Sequence, residues 1–204
     1  MALLVSFAAS APAQWEVGVA VGYGIYRNAS VYAPAGKVAA GFRNRFTVGA
    51  VIGEDLYNRV GGEFRYTYQD GDPFVAAAGV KTNVQGQSHA FHYDFLFHVR
   101  ERGARIRPYA IAGVGAKLFV VSGPASPVQP LENIVRLTTE SDFKPLVTGG
   151  GGVRMMLGKH VVLRLDFRDY ITPFPKKVIA PAPLGTARGI YHMFTPMAGL
   201  SWIY

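Results

Sequence analysis

Along much of this chain, large apolar residues stand at every second position, with small or charged residues between them. From Trp15 to Ile25 the odd positions are Trp15, Val17, Val19, Val21, Tyr23 and Ile25. The even ones are Glu16, Gly18, Ala20, Gly22 and Gly24. Successive strand side chains point to opposite faces, so a period of two predicts a strand with one large apolar face. Phe64, Tyr66 and Tyr68 alternate in the same way with Glu63, Arg65, Thr67 and Gln69. Phe91, Tyr93, Phe95, Phe97 and Val99 alternate with His92, Asp94, Leu96, His98 and Arg100, and Leu163, Leu165 and Phe167 with Arg164, Asp166 and Arg168.

The pattern predicts about eight strands, near 15–26, 45–56, 60–69, 88–100, 105–120, 143–157, 160–171 and 190–204. Their connections alternate in length. Short turns fall at 57–59, 101–104 and 158–159, and long segments at 27–44, 70–87, 121–142 and 172–189. Within the first long segment, 36–43 reads either as strand or as loop. Short turns at one end and long loops at the other are expected of an antiparallel up-and-down barrel that crosses a membrane.

Alternation alone does not say which face points inward, because water solvates charges outside a soluble barrel equally well. Glycine favours one answer. Gly113 and Gly115 share a face with Arg107 and Lys117, and Gly150 and Gly152 with Arg154. Glycine weakens a solvent-facing strand but suits a crowded lumen. The apolar rows are therefore expected to face lipid. Glu16, Glu63, Arg65, Asp94, Arg107, Lys117, Arg154, Arg164, Asp166 and Arg168 are expected to pair inside, since a lone buried charge costs several kcal/mol. Tyr23, Tyr57, Tyr68, Tyr93, Trp202 and Tyr204 are candidates for interfacial aromatic girdles.

Composition sharpens this picture. Glycine accounts for 24 of 204 residues, well above the usual ~7%. After the N-terminus, no apolar run reaches the ~18 residues of a membrane helix. Cysteine is absent, so no disulfide framework holds the fold. The formal net charge is +8, but Lys and Arg are scattered, which argues against nucleic-acid binding and allows contact with anionic headgroups.

Residues 1–13 read MALLVSFAASAPA, a short apolar run ending in a small-x-small pattern. This predicts a secretory signal with a truncated basic region, cleaved before Gln14, and a barrel domain over 14–204. The alternative is a buried N-terminal element. The chain closes on an aromatic, with Pro196, Ala198, Leu200, Trp202 and Tyr204 on one face. Such a final strand resembles the signal read by outer-membrane assembly machinery, and no periplasmic domain is expected after it.

The hairpin from Gly49 to Tyr66 and the segment from Arg107 to Gly115 resemble the small outer-membrane barrel family that includes the OmpA membrane domain, OmpX and OmpW. The resemblance spans nearly all of the mature chain. It implies fold and location, not activity, because its members include structural proteins, adhesins, narrow pores and lipid-modifying enzymes.

Little chemistry stands out. His92 and His98 share a face, but the ~3.3 Å rise per strand residue separates them by about 20 Å, too far for one ion. Ser30, Ser122, Ser126 and Ser141 lie in or beside loops without a recognisable His and carboxylate. His192 sits near the outer end of the last strand, where an interfacial polar residue is expected. Gly149–Gly152 lacks the lysine and strand-to-helix context of a phosphate loop. Two loops are proline-rich, 123–130 and 173–183, the latter carrying Lys176 and Lys177, which could meet lipopolysaccharide phosphates.

The sequence thus predicts an all-β, monomeric barrel in the outer membrane with no enzymatic activity, cofactor or metal. Its expected surroundings are lipid, lipopolysaccharide and the assembly machinery, with a possible surface ligand at the loops. A structural or surface-interaction role comes first, a narrow solute pore second, and a soluble lipocalin-like ligand-binding barrel third.

Overall fold

A computed structural model describes residues 14–77, 79–124, 129–187 and 189–204. Residues 1–13, expected to be an export segment, and Ser126 lie outside the described residues. In chain order the strands are β1 (Trp15–Tyr26), β2 (Ala29–Ala33), β3 (Gly36–Phe42), β4 (Arg45–Asp55), β5 (Val60–Asp70), β6 (Pro73–Ala77), β7 (Val80–Asn83) and β8 (Gly86–His98). They continue as β9 (Ile106–Val121), β10 (Val135–Leu137), β11 (Asp142–Met156), β12 (Val161–Pro173), β13 (Ile179–Pro181), β14 (Thr186–Ala187) and β15 (Ile190–Ile203).

Eight of these close into an antiparallel barrel in the order β1-β15-β12-β11-β9-β8-β5-β4. They are the eight long strands that the alternation predicts, with ends shifted by about two residues at most. Closure is carried by β1, which pairs with β15 and with β4, so that Val17 lies between Trp202 and Ile52. A closed ladder satisfies the strand hydrogen bonds internally and leaves no edge, as a segment surrounded by lipid requires.

The faces are inside out relative to a soluble barrel. Trp15, Val17, Val19, Val21, Tyr23 and Ile25 are all exposed, Val19 at 64%. Phe64, Phe91, Phe95, Phe97, Leu165 and Phe167 are exposed as well. A continuous apolar belt of this kind has no place in water. The opposite row of each strand is buried and polar, including Glu63, Arg65, Thr67 and Gln69 on β5. The lipocalin-like alternative needs an apolar interior and is overturned by this arrangement.

The ends of the barrel differ. At one end lie the three short turns and the described termini, with the Tyr204 amide donating to the Trp15 carbonyl at 3.0 Å. At the other, the four long connections are not open loops. They supply a five-stranded sheet ordered β14-β2-β3-β6-β7 and a two-stranded sheet of β10 and β13. The segment that the sequence leaves open between strand and loop is β3, which pairs with β2 and β6.

These short strands bury a core of their own. Val31, Val38, Val75, Val135, Leu137 and Ile179 are almost wholly enclosed, and the core continues downward into the barrel mouth through Phe42, Phe119, Tyr26 and Tyr191. The ring centroids of Phe42 and Phe119 are 5.1 Å apart, and the Phe42 amide donates to the Tyr191 hydroxyl oxygen at 3.0 Å. The Gln129 side chain clamps Leu137, donating to its carbonyl and accepting from its amide at 2.8 Å each. The long connections therefore form a packed cap.

Candidate functional site

The interior is the most specialised part of the molecule. Strand parity sends Glu16, Asp55, Glu63, Asp94 and Asp166 inward from five strands, and Arg65, Arg107, Arg154, Arg164 and Arg168 from four; all ten are buried. Five carboxylates thus meet five guanidinium groups in a space that water hardly reaches.

Glu63 is the hub. It pairs with Arg65 at 3.1 Å, with Arg164 at 2.6 Å, and with Arg168. Arg168 also pairs with Asp94, which accepts from Thr148 and lies 2.9 Å from His92 Nδ1. Asp166 meets Arg65 at 2.9 Å and accepts from the Tyr109 hydroxyl. Glu16 joins Arg154 and, at 3.2 Å, Arg164. Sharing each carboxylate among several arginines satisfies more of the forked guanidinium donors than isolated pairs would.

Nine of the ten charged residues singled out from sequence are brought together here. Lys117 is the exception. It is buried inside the barrel but apart from the ladder, without a carboxylate partner among the described residues. Its ammonium group donates to Gln69 at 2.6 Å, lies 3.3 Å from the Met193 sulfur, and stands 5.0 Å from the centroid of the Phe119 ring and 5.3 Å from that of Tyr26. A cation over aromatic faces is partly compensated. Its height explains the difference, since it lies where the charged lumen gives way to the apolar cap.

Sequence reasoning missed Asp55, the hub of the short-turn end. It pairs with Arg107 at 2.9 Å and Arg154 at 3.2 Å, with Arg102 at 3.7 Å and His98 at 3.9 Å nearby. The signal was present: Thr47, Gly49, Val51, Gly53 and Asp55 share one register of β4. Tyr109 and Thr148 were likewise recoverable by parity.

Little space remains between these groups. The cavity bounded by Glu16, Asp55, Glu63, Arg154 and Arg164 holds about 10 Å³, roughly the room one water needs. A vestibule of about 110 Å³ opens below it at the short turns. Glycine makes the close filling possible. A Cβ on Gly113 would collide with the Asp94 carboxylate and the Tyr93 carbonyl, and one on Gly115 with the backbone of Phe91 and His92.

The other candidates are scattered. His89 faces outward and accepts from or donates to the Tyr66 hydroxyl at 2.8 Å. His192 also faces outward, 2.7 Å from Asp169. No cluster of three or more metal-ligating side chains occurs among the described residues. Pro196, Ala198, Leu200 and Trp202 form the outward row of β15, and Tyr204 follows its end. Tyr57, Trp202 and Tyr204 mark the short-turn rim, and Tyr23 and Tyr68 the long-loop rim.

No curated protein matches the chain in sequence. Among solved structures, OprG from Pseudomonas aeruginosa is similar at a TM-score of 0.59 and 11% identity, covering 94% of this chain and 95% of that one. AlkL, solved in lipid bilayers, is similar at 0.55 and 14%, covering 93% and 90%. Neisserial surface protein A is similar at 0.52 and 12%, covering 94% and 99%. At these identities the likeness concerns the fold. The family described as outer membrane protein beta-barrel domain matches residues 1–177. With its lipid-facing belt and closed eight-strand ring, the chain belongs to that family and is an integral β-barrel of the outer membrane.

Proposed function

We propose that this chain is a non-enzymatic, non-conducting barrel with a structural and surface-interaction role. The observation that carries the reading is the double closure of its interior. A ladder of five carboxylates and five arginines fills the lower lumen, and the apolar cap fills the mouth above it. An ion entering this path would have to separate paired charges and then cross an aromatic core. Long connections folded into a rigid layer present side chains outward in fixed positions, which suits recognition better than mobile loops.

On this reading residues 1–13 direct export and are removed before Gln14, and the outward row ending in Trp202 and Tyr204 is what the assembly machinery engages. N-terminal sequencing of the mature protein checks the first point. Reconstitution in planar bilayers tests the main one. The expected result is no unitary conductance; reproducible steps from purified, folded protein would establish the narrow-pore reading instead.

A further inference from the structure

Two polar clefts adjoin the β6–β7 hairpin at the long-loop end of the barrel, the first floored by Tyr26 and Phe42 of the barrel mouth. The first, about 270 Å³, includes Asn28, Arg43, Asn44, Phe74 and Lys81 in its lining. The second, about 340 Å³, is lined by Asp70, Asn83, Gln85, Gln87 and Ser122 among others. Between them stands Asp72, held by Arg45 at 2.8 Å and approached by Arg43 at 3.7 Å. We infer that these clefts bind a phosphorylated saccharide, the phosphate at Arg43 and Lys81 and the sugar hydroxyls along Asn83, Gln85 and Ser122.

The first cleft carries charge that the protein does not consume. Arg45 already occupies the near side of Asp72, so Arg43 has only a loose contact. Lys81 has no carboxylate partner among the described residues, and its ammonium lies over the Phe74 ring, 4.6 Å from the centroid. Two exposed cations beside exposed amides suit an oxyanion. The second cleft is of another kind. Asn83, Gln85 and Ser122 are exposed, and their side chains make no hydrogen bond to protein among the described residues. Amides, a hydroxyl and the Asp70 carboxylate supply the mixed donors and acceptors that sugar hydroxyls need.

Position identifies the source of the ligand. Both clefts stand on the aromatic girdle at the long-loop rim. The Asn44 carbonyl accepts from the Tyr23 hydroxyl at 3.0 Å, and the Gln87 side chain accepts from the Tyr68 hydroxyl at 3.0 Å. Tyr68 in turn packs against Phe46, with ring centroids 6.1 Å apart. Interfacial Tyr and Phe sit at headgroup level, so the clefts open where the sugar phosphates of an outer-leaflet glycolipid lie. A soluble sugar phosphate shares the chemistry but gains nothing from this height.

The inference deepens the surface role proposed above and rests on the long connections facing outward. The folded barrel in lauryldimethylamine oxide micelles is titrated calorimetrically with bisphosphorylated lipid A, with the dephosphorylated lipid, and with glucosamine 1-phosphate. Saturable binding of lipid A is expected, lost on dephosphorylation. Arg43→Gln and Lys81→Gln are each expected to weaken it about tenfold, while Arg43→Lys retains most of it. Equal binding of glucosamine 1-phosphate, with the same losses, would keep the sugar-phosphate site and move its source to solution. Undiminished binding in both Gln variants, or an equal loss in Lys176→Gln/Lys177→Gln on a different connection, overturns the site. Heat-modifiable migration confirms that each variant is folded. Conductance in bilayers bears only on the closed lumen, so the two proposals fail separately.

Discussion

Arg65 of β5 reaches Asp166 of β12 at 2.9 Å, although these two strands stand opposite each other in the eight-strand ring. The contact spans the full width of the lumen. Only side chains as long as arginine, with glycine on intervening strands, bridge a barrel of this size without leaving a channel. Glu63, two residues before Arg65, makes the same crossing to Arg164 and Arg168. The barrel wall is therefore tied across its diameter as well as around its circumference.

Glu63→Gln removes the charge shared by three arginines. Arg65, Arg164 and Arg168 each keep another carboxylate, but the buried ladder is left one negative charge short, which is expected to cost about 3–5 kcal/mol. Urea unfolding of the protein refolded into vesicles measures this. A loss well under ~1 kcal/mol would mean that the ladder is hydrated and behaves as a surface pair.

Lys117 carries the opposite expectation. Its ammonium has no carboxylate, and Ser88 independently donates to Gln69 at 3.3 Å. Lys117→Met keeps the length of the side chain and removes the charge. Stability is expected to be unchanged or to rise by about 1–3 kcal/mol, as when buried ions give way to apolar groups. A clear loss in the same unfolding assay would show that the contacts to the Tyr26 and Phe119 rings stabilise the charge.

Two glycine substitutions separate the faces of the wall. Gly113→Ala places a methyl group against the Asp94 carboxylate and is expected to destabilise by about 1–3 kcal/mol. Gly149→Ala meets nothing within 4 Å and is expected to be neutral or slightly stabilising. Equal effects in thermal unfolding would contradict the assignment of Gly113 to the lumen.

Phe42→Ala tests the cap. Phe42 is 3% exposed among Tyr26, Phe119 and Tyr191. Its truncation is expected to remove about 3–5 kcal/mol of packing, and to speed hydrogen exchange in β2, β3 and β6 far more than in the barrel strands. Conductance is expected to stay absent, because the charge ladder lies below the cavity created. Ion flow in this variant would make the cap the sole barrier.

Much of this was legible along the chain. From Trp15 to Ile25 the alternation names the strand and its two faces, because each strand residue commits its side chain to one of two sides, and the glycines on the charged faces point the apolar one to lipid. The alternating lengths of the connections similarly place the short turns at one end. The cap was not legible. β10, β13 and β14 are two or three residues long, too short for a period to show, and their pairing joins segments far apart in sequence, such as Val135 with Pro181.

The charged lumen divides along the same line. By itself the sequence determined that Glu63 shares a face with Arg65 and Arg164 with Asp166, since face follows from parity, and glycine on the charged faces turned those faces inward. Only the tertiary structure decided who pairs with whom. Partners depend on height along the axis and on the stagger between strands, which no count along one strand supplies. That stagger brings Glu63 to three arginines and places Asp55 beneath Arg107 and Arg154. It also lifts Lys117 out of the ladder and into the aromatic mouth.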